Sequence, residues 1–157
     1  MNIKQWFNGV VLSVVMAPLS VLAAPGDFFL TLVNDDGSAT RTIINGFKLG
    51  LEGEEPNMAL LLPAVQAARE AARQMEDQIV KNEPISGMII QSNTPGSYYR
   101  YELKNVFVTS YSTSGDSSGG ETVPVEQFSL NYEEIKVTYN SVIRQYDCTS
   151  GICFLQR

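Results

Sequence analysis

The stretch Tyr98–Tyr139 constrains this chain most, because it holds two long strand-like runs around a loop of Gly, Ser, Thr and Asp. In the first run Tyr99, Tyr101 and Leu103 alternate with Arg100, Glu102 and Lys104. Period-two alternation marks a strand with one buried face. After Asn105 the aliphatic positions change parity, to Val106 and Val108. The second run behaves alike: Phe128, Leu130 and Tyr132 share one parity, and Ile135, Val137 and Tyr139 take the other. A parity change inside a strand implies a bulge or a change of covered face. Two paired strands that both change suit a coiled sheet closing into a barrel. Two ordinary sandwich strands whose edges face both ways are the plainer alternative. Ser112–Pro124 reads as a connection too long for a tight hairpin.

The N-terminus reads as a leader rather than as part of the fold. Lys4 gives a weakly positive start, Val10–Ala17 is an apolar run, and Pro18 ends it. Val21-Leu22-Ala23 places small or apolar residues where a signal peptidase cuts, so cleavage is expected between Ala23 and Ala24. Asn8, Ser13 and Pro18 leave the run short of the ~20 apolar residues that a membrane span needs. No membrane association is expected after cleavage. Residues 24–157 then form a single domain, and loss of Lys4 takes the net charge from −6 to −7. An acidic balance argues against nucleic acid as a partner.

Asp27–Val33 reads as a strand and Asn34–Gly37 as a turn. Ile43, Asn45, Phe47, Leu49 and Leu51 alternate with polar or small residues, so a second strand is expected there. Glu52–Pro56 breaks the pattern. A helix is expected from Pro63 to Val80, with Val65, Ala68, Ala72, Met75 and Ile79 on its buried stripe. Ile85–Gln91 is a short strand and Ser92–Ser97 a turn. Near the end, Cys148 and Cys153 flank four residues, a spacing that favours a small-loop disulfide across a hairpin in an exported protein.

The order ELKNVFVTSYSTSG, a polar loop, then PVEQFSLNYEEIKVTY resembles the Hcp family, the tube protein of type VI secretion. The second half carries Glu126, Ser129, Leu130, Tyr132, Ile135 and Tyr139 in the family's order. The resemblance implies a mainly β fold, two sheets rolled into a β-barrel with one packed helix. It also implies a non-enzymatic subunit of a stacked ring, with secretion-apparatus proteins or a small effector as partners. Tyr99, Tyr101, Tyr111, Tyr132 and Tyr139 are the candidate oligomer interface, since tyrosine is favoured where surfaces meet. A second, local resemblance lies in ALLLPAVQAAREAAR, which is similar to a segment of a bacterial prepilin-like family. Gly46, Phe47, Leu49 and Glu52 echo what precedes it there. The apolar stalk of that family is replaced here by Gly50–Asn57, and no membrane-resident stalk carries three Glu and a Pro. The fold of residues 46–63 stays open at this point.

The chain has no histidine, which removes the commonest general base and zinc ligand. The Ser117–Gly120 stretch lacks the lysine of a phosphate loop. No catalytic residue, metal site or cofactor is therefore expected. The reading is a secreted or periplasmic Hcp-like structural protein that forms rings or tubes. Its rivals are a monomeric binding module and a pilin-like filament subunit.

Overall fold

Alternation builds the first strand. In β1 (Phe28–Val33) the side chains of Phe28, Leu30 and Leu32 are buried. The computed structural model describes residues 28–92, 98–116 and 123–157. The expected leader with its Ala23–Ala24 junction, most of the Ser92–Ser97 turn and the Ser117–Gly120 stretch lie outside these residues. After β1, Asp36 Oδ1 accepts hydrogen bonds from the Ser38 N–H at 2.8 Å and the Ser38 hydroxyl at 2.6 Å. Gly37 sits at φ 84°, a region that suits glycine. β2 (Ala39–Ile43) then returns antiparallel to β1, with Leu30 opposite Thr42.

The second expected strand is two strands. Thr42 and Ile44 are buried, then Phe47, Leu49 and Leu51, whereas Ile43 and Asn45 are only partly so. The parity changes because the chain passes from one sheet to the other. The Ile44 N–H donates to the Phe28 carbonyl at 3.2 Å, and the next residue, Asn45, donates to the Leu61 carbonyl at 2.9 Å. β3 (Gly46–Leu49) continues in the second sheet.

The expected helix start is also corrected. Asn57–Leu62 is a strand, β4, burying Met58, Leu60 and Leu62 and pairing with β3. Helix α1 runs Gln66–Lys81, and Pro63 precedes it without belonging to it. An Ala- and Leu-rich run has good helix propensity, but period-two burial between two partner strands overrides it. The buried face of α1 is Ala68, Ala71, Ala72 and Met75, while Val65 and Ile79, expected on that stripe, are each 41% exposed. Asn82, at φ 56°, ends the helix by donating its N–H to the last-turn carbonyls.

The remaining strands are β5 (Ile85–Ser92), β6 (Tyr99–Asp116), β7 (Val123–Asn131), β8 (Glu134–Tyr139), β9 (Val142–Asp147) and β10 (Phe154–Leu155). One sheet runs β10-β9-β8-β6-β5-β1-β2, and the other runs β3-β4-β7-β6. β6 belongs to both. Up to Lys104 it pairs with β8, and from Phe107 it pairs with β7. Asn105, between them, has φ 49°. This left-handed residue rotates the strand, so burial moves from Tyr101 and Leu103 to Val106. The partner run breaks at the same level, where Tyr132 and Glu133 separate β7 from β8. The paired parity change therefore marks a corner shared by two sheets. At both ends of the expected 112–124 loop the described residues are ladder, since β6 and β7 stay in register from Ser112↔Gln127 to Asp116↔Val123. Ser, Thr and Val pair by backbone and need no apolar alternation to do so.

The sheets do not close into the expected barrel through hydrogen-bonded ladders. Among the described residues β2 pairs only with β1, and β3 only with β4. These two strands are consecutive pieces of one run lying end to end, so neither can zip onto the other. Continuous chain at the β2–β3 and β6 corners joins the sheets instead. Their inner faces meet in one core that includes Leu30, Phe47, Leu60, Tyr101, Phe128 and Ile135, with α1 packed beside it.

The Asn105 corner is testable. Asn105→Gly keeps the backbone conformation and loses only the exposed bond from Asn105 Nδ2 to Glu133 Oε2, 2.7 Å long. Asn105→Val forces a β-branched residue into the left-handed region, at a cost of about 1–2 kcal/mol. Urea melts should therefore place the Val variant clearly below the Gly variant; equal midpoints would show that the corner does not depend on this residue.

Candidate assembly interface

The five tyrosines expected at an interface do not share one surface. Tyr101 and Tyr132 are core residues, exposed by only 1% and 2%. Both lie on inward-facing positions beside the corner, and burial raises both phenols well above their ordinary range. Tyr101 packs edge-on against Phe47 at 5.4 Å, and the Tyr132 hydroxyl donates to the Gly50 carbonyl. They are unavailable to a partner, which corrects the expectation for those two. Aromatic count alone could not separate them from their neighbours, because all lie on the same alternating runs.

Tyr99 and Tyr139 do come together. They are opposite one another on β6 and β8, with ring centroids 4.5 Å apart. Partial burial, and then the neighbouring Tyr139, raise the Tyr99 phenol. Tyr111 stands apart on the β6–β7 arm, 38% exposed, with its ring 4.8 Å from Phe128 and its hydroxyl bonded to Thr113 at 2.9 Å. The surface pair Tyr99–Tyr139 and the arm residue Tyr111 are thus two separate patches.

Other exposed apolar residues were not read from the sequence as interface candidates. Ile143 is 62% exposed and Phe154 57%, both on the C-terminal hairpin, and Phe107 on β6 is 38% exposed. The signal for Phe154 was faint, since a two-residue β10 cannot be told from loop by pattern. Among the described residues the sheet ends here, where β10 pairs only with β9. Open strand edges invite pairing with another chain. Charged side chains cover the middle of the same sheet. Glu102 Oε2 lies 2.8 Å from Lys136 Nζ and its other oxygen 3.4 Å from Arg100. Burial alone would raise the Glu102 carboxyl, but hydrogen bonds from Lys136 and Arg100 outweigh it and hold it below its ordinary value.

Residues 66–139 match the family model described as "Type VI secretion system effector, Hcp". Over these residues the chain is similar to the Hcp family. Solved Hcp structures agree in fold. Hcp1 from E. coli EAEC 042 superposes with a TM-score of 0.65 at 13% identity, covering 79% of this chain and 99% of that one. Hcp1 from Salmonella typhimurium gives 0.62 at 16% identity, covering 82% and 99%. A chain in the six-fold symmetrised baseplate of the anti-feeding prophage gives 0.55 at 11% identity, covering 76% and 97%. At such identities the likeness is one of fold. No curated protein matches in sequence. Hcp proteins are structural tube proteins, not enzymes. The Hcp match spans α1 to β8, which are the elements that build the shared corner.

One carboxylate reports on how the β6–β7 arm sits against α1. Burial raises the Glu126 carboxyl, Glu76 of α1 adds to the rise, and Arg69 opposes it. A raised acid binds its proton more tightly folded than unfolded, so its ionisation destabilises the fold as pH rises through the folded value. Glu126→Gln should therefore raise the Tm at pH 7, and the gain should vanish below pH 4. Melting curves at the two pH values check this; a lower Tm at pH 7 would show that the ionised carboxylate is stabilising.

Proposed function

We propose that the mature chain is an exported Hcp-family tube subunit that assembles with copies of itself into rings. The family match over residues 66–139 carries this reading. The fold supports it, because open edges remain at β2, β3 and β10. In this reading Tyr99, Tyr139 and Tyr111 contribute to contacts between copies, and Tyr101 and Tyr132 support them from the core. The ring bore would take a small effector, and secretion-apparatus proteins would be the remaining partners. The chain is secreted or periplasmic in this reading. None of the described helices is long and apolar enough to cross a membrane.

Light scattering on the mature protein tests the assembly. We expect a mass of several copies, with rings in negative stain. A monomer at high micromolar concentration, with no rings, would leave the fold standing and favour the binding-module reading.

Export is proposed on the Lys4 to Ala23 layout. Sequencing the protein recovered from the periplasm or medium should begin at Ala24, and an intact Met1 there would remove the leader assignment.

A further inference from the structure

The C-terminal segment lies beyond the family match, which ends at residue 139. It holds itself to the domain weakly by burial. Within it Tyr146, Cys148 and Cys153 are buried, whereas Val142, Ile143, Ile152, Phe154 and Leu155 are at least 36% exposed. Its outer strand, β10, is only two residues long. Yet this segment touches two places that shape the fold. The Cys148 N–H donates to the Glu133 carbonyl at 2.8 Å, at the shared corner. The Cys153 N–H donates to the Glu54 carbonyl at 2.9 Å, and the Cys153 carbonyl accepts from the Gly53 N–H at 2.8 Å. Glu52 and Cys153 form an isolated parallel bridge. Cys148 and Cys153 are bonded to each other, so one covalent link joins the corner contact to the loop contact.

The loop so held, residues 50–57, is one wall of a groove of about 690 Å³ over the outer face of the β3-β4-β7 sheet. Ala59, Ser129 and Thr109 form its floor, Lys48 borders it, and Glu54 and Glu55 stand on the loop side. The loop carries three acidic side chains, Glu52, Glu54 and Glu55.

We propose that the Cys148–Cys153 disulfide is a redox latch that fixes the 50–57 loop as the wall of this groove, so that the groove is complete only in the oxidised protein. Closing the latch is thiol–disulfide exchange. One cysteine thiolate attacks the disulfide of an external carrier, and the second displaces the carrier. The chain gains one S–S bond, the carrier gains two electrons, and the two protons lost from the cysteines end on the two carrier thiols. A dithiol reductant runs the exchange backwards and frees the loop. The latch stands on these contacts and does not depend on ring formation.

Hydrogen exchange followed by mass spectrometry on the mature protein tests it, comparing oxidised protein, protein in dithiothreitol, and a Cys148→Ser/Cys153→Ser double variant. The latch predicts exchange faster by about tenfold or more in 50–57 and 148–157 in the last two samples, with β1 and β5 unchanged. Unchanged exchange in 50–57 would overturn it. Loss of protection throughout β1 and β5 would also overturn it, because the bond would then be a general staple rather than a local latch. An N-terminal peptide map of the same digests confirms that the compared samples are the same mature chain.

Discussion

The structure depends on one strand serving two sheets. β6 is 18 residues long, and at its Asn105 it changes which side of the backbone faces the core. Period-two geometry makes this unavoidable: a single residue of rotation moves every following side chain to the other face. The partner run answers at Tyr132–Glu133, where β7 gives way to β8. With both runs turning at the same level, Leu103 and Ile135 meet one sheet's interior, and Leu130 and Phe128 meet the other's. The bond from Asn105 to Glu133 ties the two turns together on the surface. A second corner, between Ile44 and Asn45, repeats the device with backbone bonds alone.

Much of this was legible in the sequence, and for a physical reason. Alternation of large apolar and charged residues is strong along Tyr99–Lys104 and Phe128–Tyr132, so the strands and their parity change could be read directly. The same held for β1, β5, and the centre of the helix stripe at Ala68, Ala72 and Met75. What failed were places where a side-chain pattern is shared by two conformations. Met58, Leu60 and Leu62 alternate as a strand, but Ala59 and Leu61 between them are also apolar, so the pattern left residues 57–62 open between strand and helix. Ile43 and Ile44 are adjacent and equally apolar, so only the hydrogen bonds from Ile44 and Asn45 decide which one enters the core. The 112–116 segment pairs through its backbone, which leaves no apolar signature.

The candidate interface was less legible than the fold. Tyrosine suits both a core with a nearby acceptor and a surface that meets a partner. Tyr132 finds the Gly50 carbonyl and goes inside, whereas Tyr111 finds Thr113 on the arm and stays out. That choice depends on which loop passes nearby, a long-range fact that one sequence does not spell out. The pairing of Cys148 with Cys153 is local and was legible from spacing together with the expectation of export, but the distant 50–57 loop that touches Cys153 was not.

The two sheets form a single cooperative unit because β6 runs through both. Residue-resolved native-state hydrogen exchange across Tyr99–Asn131 tests this most directly. Amides of Leu103 and Val106, before and after the corner, and of Phe128 and Leu130 on the partner strand are expected to open with the same free energy and the same denaturant dependence. Two distinct opening energies, dividing at Asn105, would contradict it and describe two sheets that fold separately.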